Sequence, residues 1–281
     1  MPPGTTPMAT DFRPVARLLR DHAHIVRIYG YGDQPPAMVM ERPQADLGTL
    51  LQSDIALSLH TRLDVCQQWA SGLEAMHANG VAHCDLKPAN VLVSQSPDGA
   101  SWRVALGDLG TSRNLNPDRA SALVAGAPEL NAMTARYAAP EVIAAFRRKR
   151  PLDTGALLPA GVYSAALLLW ECLSRTAPWQ GCSFEQITES VVRGDRPDVQ
   201  AAAAPIAQAS APLAQTLLDV LPRLWCPEPR GRPPAASLRQ QVATLAAMLP
   251  AGGWRPLFMH APSPMPDPGE RARRGAGGKG H

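Results

Sequence analysis

The chain has 281 residues, 45% of them hydrophobic, and a formal net charge of +3. That length suits one globular unit of two lobes with a real core, and so mild a positive balance does not call for nucleic acid as a partner. Five scattered cysteines (Cys66, Cys84, Cys172, Cys182, Cys226) lack metal-ligand spacing and read as a reduced protein of the cytoplasm or nucleus, while the apolar run Ala165 to Trp170 is far short of a membrane span and no signal stretch opens the chain.

Residues 1–10 carry Pro, Gly and Thr without periodicity and are expected to be disordered. From Asp11 to Ala23, apolar residues at Phe12, Val15, Leu18 and Leu19 predict a helix capped by Thr10 or Asp11. Ile25 to Tyr31 and Ala37 to Met40 read as strands around a Gly32-Asp33 turn. Leu57 to Ala78 is a long helix with Leu63, Cys66, Trp69, Leu73 and Met76 on one face, as core. Trp102 to Leu106 predicts a strand, and Tyr163 to Leu173 a nearly all-apolar helix. Ile187 to Val192, Leu213 to Trp225 and Leu238 to Leu249 supply further helices. Gln200 to Pro212 reads as an Ala-rich loop of low complexity. Residues 251–281, dominated by Pro, Gly and Arg, are expected to be a disordered tail. Arg147-Arg148-Lys149-Arg150 reads as a solvated loop in preference to an import signal or a dock for acidic substrates. Gly275 to Gly280 has no strand before it and no Ser or Thr after Lys279, which makes it tail and not a phosphate loop.

The chemistry is concentrated in His83-Cys84-Asp85-Leu86-Lys87-Pro88-Ala89-Asn90-Val91-Leu92-Val93. An Asp, a Lys two positions on and an Asn five positions on share one short loop that runs into an apolar strand. Gly107-Asp108-Leu109-Gly110 follows, and then Thr134-Ala135-Arg136-Tyr137-Ala138-Ala139-Pro140-Glu141. These three motifs, in this order, resemble the catalytic loop, the metal-binding Asp-Phe-Gly and the end of the activation segment of the eukaryotic-type protein kinases. The resemblance implies ATP and Mg as cofactors. It gives Asp85 the substrate hydroxyl proton, Lys87 the charge of the transferring phosphate, and Asn90 and Asp108 the Mg ions and ATP. Lys87 with Thr134 is the Ser/Thr-kinase version of the pattern. Met40-Glu41-Arg42-Pro43 falls at the inter-lobe hinge, which makes Met40 the gatekeeper, places Glu41 beside the nucleotide, and leaves Leu92 to floor the adenine. His83, Leu109 and the pair Glu141–Arg232 are structural by the same likeness. Small-molecule phosphotransferases of the aminoglycoside-kinase type share the His-x-Asp stretch, but lack both halves of that pair.

The implied fold is α+β and bilobal: a partial N-lobe over residues 11–43, reduced to helix C and strands 4–5, and a nearly complete helical C-lobe over 44–250. The front of the N-lobe is missing. No Lys precedes Lys87, no Glu precedes Glu41, and Arg13 stands where the helix-C Glu would fall. There is neither Gly-rich loop nor strand 3. Gly161 replaces an Asp whose carboxylate takes backbone donors of the catalytic loop. Cys84 replaces the Arg that reads phosphorylation of the activation segment, a non-RD loop, and Pro43 removes a hinge N–H. The expected function is transfer of the γ-phosphate of Mg–ATP to Ser or Thr of a protein substrate. Alternatives are a truncated pseudokinase serving as a binding or scaffold module, and a chain whose N-lobe a partner completes. Neither membrane nor nucleic acid is expected as a partner.

Overall fold

The computed structural model describes residues 13–33, 36–115 and 128–249. The segments expected to be disordered, 1–10 and 251–281, and the Thr10 or Asp11 cap lie outside them, as does the side chain of Arg13.

The upper part is small. Helix α1 (Arg13–Leu19) buries Val15 and Leu19, and stops four residues short of the expected end, where residues 20–24 turn towards Ile25. Strands β1 (Ile28–Asp33) and β2 (Pro36–Met40) pair antiparallel. Gly32 and Asp33, expected to form the turn, extend the first strand instead and pair with Ala37 and Pro36. Ile25 bridges to Leu106, and Val26 N–H donates to the Leu106 carbonyl at 2.8 Å. Arg103 fastens the hairpin from below. It makes a two-point ion pair with Glu41 at 2.6 and 3.2 Å and donates to the Ala23 carbonyl at 3.3 Å.

Below this, strands β3 (Ala45–Asp46), β5 (Val91–Gln95) and β6 (Trp102–Leu106) form a three-stranded antiparallel sheet. Strands β4 (Val81–Ala82) and β7 (Arg113–Asn114) pair separately. Helix α2 (Leu47–Gln52), too short for its periodicity to show in the sequence, starts where Asp46 accepts the Thr49 N–H at 2.9 Å.

Helix α3 (Leu59–Ala78) is capped by Ser58 and carries its expected core face: Leu63, Cys66, Trp69, Leu73 and Met76 are all fully buried. Each large apolar side chain so buried contributes about 1.5–3 kcal/mol. Gly72 is required on this helix, because a Cβ there would lie 2.5 Å from the His24 carbonyl oxygen.

Helices α4 (Ala132–Ala135) and α5 (Pro140–Arg147) lead to the central helix α6 (Thr154–Ser174). It begins nine residues before the expected Tyr163, with Pro159 inside it. At 21 residues it is long and apolar enough to cross a membrane, which the short run Ala165 to Trp170 concealed. From Ala160 to Leu173 every residue but Ser164 is buried within the fold, the placement of a core helix. Helices α7 (Phe184–Arg193), α9 (Ala211–Leu224) and α10 (Ala235–Ala247) fall where the apolar spacing puts them. The expected loop Gln200 to Pro212 is instead largely helix α8 (Val199–Ala207). Its alanines are strong helix formers, Asp198 accepts the Gln200 N–H as cap, and Ala202, Ala203 and Ile206 are buried.

Candidate active site

The loop from β4 to β5 is built around His83, which is completely buried. One ring nitrogen, Nε2, donates to the Gly107 carbonyl at 2.9 Å, while Nδ1 accepts the Asp85 N–H at 3.4 Å, a pairing that fits the neutral tautomer. Burial lowers the pKa of His83 and favours that neutral form. Thr111 Oγ1 donates to the His83 carbonyl at 3.1 Å. His83 therefore holds the Gly107-Asp108 turn beside the Asp85 loop.

Asp85, Lys87, Asn90 and Thr134 converge. Lys87 Nζ lies 2.6 Å from Asp85 Oδ2 and 3.3 Å from Thr134 Oγ1. Asn90 Nδ2 donates to the Asp85 carbonyl at 2.7 Å and to Asp85 Oδ2 at 3.0 Å, which orients the carboxylate from two sides. Pro88 starts the single 3-10 turn that brings Asn90 back to Asp85, and Leu86 anchors the loop in the core. Thr134 is held in turn by Asn131, whose Oδ1 accepts the Met133 and Thr134 N–H groups at 3.0 Å.

Asp108 sits in the left-handed region at φ 51°, leading a 3-10 turn from Leu109 to Thr111 with Leu109 buried. Its carboxylate is exposed and, among the described residues, makes no hydrogen bond or ion pair. Both Asn90 donor contacts use its nitrogen, which leaves Oδ1 free to face a cation. One carboxylate and one amide oxygen are hard ligands of the kind a Mg ion takes alongside phosphate oxygens and waters. The residues fit that metal.

The remaining site residues fall on two sides of this cluster. Gly107 approaches Leu92 so closely that a Cβ would stand 2.7 Å from Leu92 Cδ1, and Leu92 is half-buried. Met40 is half-buried against the core. The Glu41 side chain is occupied by Arg103 and by the Arg27 N–H at 2.9 Å. Between Glu41–Pro43, Leu92 and Arg103 lies a small cavity of about 10 Å³, the room of one water.

The segment after Thr134 is locked to α6. Ser164 Oγ donates to the Tyr137 carbonyl at 2.8 Å, and the Tyr137 hydroxyl donates to Glu171 Oε2 at 2.6 Å. Burial pushes the Glu171 carboxyl up to about 7, and burial with this carboxylate also pushes the Tyr137 phenol up. Sequence reasoning missed Glu171; a lone carboxylate inside an apolar helix was the available signal. Arg232 meets Glu141 at 2.6 and 2.8 Å, and its other N–H groups reach the carbonyls of Cys226, Pro227 and Pro159. The Tyr163 ring lies 5.0 Å from both the Arg196 and Arg232 guanidinium carbons.

Two departures from the family pattern are visible. Cys84 takes φ 65°, and burial around its sulfur pushes the thiol up to about 11. Gly161, well inside α6, faces His77: a Cβ there would lie 3.1 Å from His77 Nε2, a buried nitrogen without a partner. Burial, then the neighbouring His83, lowers His77 to about 4.

The family model for the protein kinase domain matches residues 13–242. The chain is 32% identical over 175 residues to the dual specificity protein kinase shkB of Dictyostelium discoideum, covering 60% of this chain and 22% of that protein. It is 32% identical over 183 residues to the serine/threonine-protein kinase pkn2 of Myxococcus xanthus, covering 62% of this chain and 20% of that protein. Over a longer stretch of 254 residues it is 26% identical to cyclic GMP-binding protein C of Dictyostelium discoideum, covering 86% of this chain and 8% of that protein. The chain thus spans less than a quarter of the length of each of these relatives.

Proposed function

The chain belongs to the protein kinase family, and from that premise we propose that it transfers the γ-phosphate of Mg–ATP to Ser or Thr hydroxyls of protein substrates. The observation that carries the proposal is the convergence of Lys87 on both Asp85 and Thr134, at 2.6 and 3.3 Å. Asp85 Oδ1 makes none of the contacts to Lys87 or Asn90, which use Oδ2 and the backbone carbonyl. It is therefore the oxygen placed to receive the proton of an incoming hydroxyl. Lys87 supplies positive charge where the transferring phosphate would meet that hydroxyl. Asn90 and Asp108 would hold Mg, which when bound neutralises charge on the phosphate oxygens. The Glu141–Arg232 pair and the Tyr137–Glu171 bond keep the segment that carries Thr134 in register with Asp85. Five free thiols fit a reducing compartment, and we place the protein in the cytoplasm.

Few of the described residues stand above the site. Asp108 is exposed, and the hairpin carries exposed Tyr29, Met38 and Val39. These observations favour a second reading, in which the chain is a binding or scaffold module, or reaches full activity when strands from a partner cover the cleft. Losing one pre-organised cation at the phosphates costs on the order of 10² to 10³ in rate. Incubation with radiolabelled Mg–ATP and generic Ser/Thr and Tyr acceptor proteins, followed by phosphoamino-acid analysis, tests the proposal. Label on Ser or Thr is expected. Label on Tyr alone, or none at all, would overturn it.

A further inference from the structure

Resting on the protein-kinase reading of the site, we propose that the turn Arg147-Arg148-Lys149-Arg150 is a docking surface for an acidic tract in the protein being phosphorylated. All four residues are exposed, and no carboxylate among the described residues pairs with any of them. The turn is built, not loose. Arg148 N–H donates to the Ala144 carbonyl at 3.1 Å, Lys149 N–H to Phe146 at 3.0 Å and Arg150 N–H to Ala145 at 3.0 Å. Lys149 is held at φ 51°, a left-handed conformation that a residue with a side chain adopts only at a cost. Arg147 Nη2 donates to Thr188 Oγ1 at 2.9 Å, and the Phe146 ring meets Phe184 edge-on at 5.8 Å, which fixes the turn to α7.

The negative end of the α5 dipole accounts for a cation or two in its last turn. It does not account for four in succession, three of them beyond the helix, where like charges repel one another. An anionic partner relieves that repulsion. The place also suits a substrate. Helix α5 begins six residues after Thr134, so the chain from Thr134 to Arg147 spans at most about 30 Å, the reach of about nine extended residues. An acidic tract within that distance of the acceptor hydroxyl can lie on the turn while the hydroxyl lies at Asp85. Nucleic acid fits less well. The patch is one turn long, its neighbouring rings Phe146 and Phe184 pack on each other, and Tyr29, the aromatic among the exposed large apolar side chains of the described residues, is on the hairpin.

The test is fluorescence anisotropy of the full chain with a labelled all-glutamate peptide lacking Ser, Thr and Tyr, so that binding is read apart from phosphoryl transfer. The triple variant Arg148→Ala, Lys149→Ala, Arg150→Ala should bind at least about tenfold more weakly, and the parent should lose affinity in high salt. Its thermal unfolding should match the parent, and its rate on a neutral acceptor peptide should be unchanged. Equal binding by the variant overturns the proposal. So does a duplex DNA that binds the parent as tightly as the peptide does and is lost in the same variant. Binding that survives in a chain showing no transfer counts against the kinase reading alone.

Discussion

Glu171 and His77 are two buried groups that titrate in opposite senses. Glu171 is raised by burial from an ordinary 4.5 to about 7, so the folded chain holds its proton more tightly than the unfolded one. Its effect is to lower stability as pH rises from about 4.5 to 7, by up to roughly 3 kcal/mol. His77 is lowered from 6.5 to about 4, so the unfolded chain takes the proton first and stability falls as pH drops through that window. Between about 4.5 and 6.5 the two slopes oppose each other. Glu171→Gln keeps an acceptor for the Tyr137 hydroxyl and removes one slope. Urea unfolding across pH should show this variant more stable than the parent above pH 7, and losing stability on acidification more steeply. An unchanged profile would remove Glu171 from the account. Arg232 is the second residue-scale case. Its side chain is fully buried and its partners are all specific, so Arg232→Ala strands Glu141 and should cost about 3–5 kcal/mol in chemical denaturation. A loss under about 1 kcal/mol would mean that Glu141 is solvated without it.

Among the elements, the hairpin β1–β2 depends on a few tethers: the Val26–Leu106 bond, the Glu41–Arg27 bonds and the Arg103 fork. Arg103→Ala should speed amide hydrogen exchange across residues 28–40 while leaving α3 and α6 protected; equal exchange would show that the fork is incidental. The long helices were legible in the sequence because apolar residues recur at helical spacing over many turns, as Leu63, Cys66, Trp69, Leu73 and Met76 do in α3. Helix α8 was not, because its alanines carry propensity but little contrast between faces. The start of α6 was hidden by Pro159 and Gly161, which read as breakers until the packing around them is known. In the site, the spacing of Asp85, Lys87 and Asn90 within one loop made their meeting legible. The Tyr137–Glu171 and Arg103–Glu41 contacts join residues 34 and 62 positions apart, and no local pattern announces such pairs.

At the scale of the whole molecule, the described residues assemble the floor of the proposed phosphoryl-transfer site and place few groups above it. Asp108 and Asn90 can take a metal, and Leu92 presents a half-buried apolar face. The described upper part carries no lysine, since the first lysine of the sequence is Lys87. Calorimetric titration of this chain with Mg–ATP should therefore give a dissociation constant well above about 0.1 mM, no more than roughly 5.5 kcal/mol of binding. Micromolar binding would show that the groups of the described site suffice to hold the nucleotide. Cys84 carries a neutral thiol at the position to which the resemblance assigns a control cation, so phosphatase treatment should leave any activity intact, and its abolition would place a phosphate reader elsewhere. The most direct measurement is the initial rate of radiolabel transfer from Mg–ATP to a Ser/Thr acceptor by the parent and by Asp85→Asn, with matched unfolding curves. A slow but measurable rate in the parent that falls to background in Asp85→Asn is the predicted result; an undiminished rate in Asp85→Asn would mean that this loop is not the catalyst.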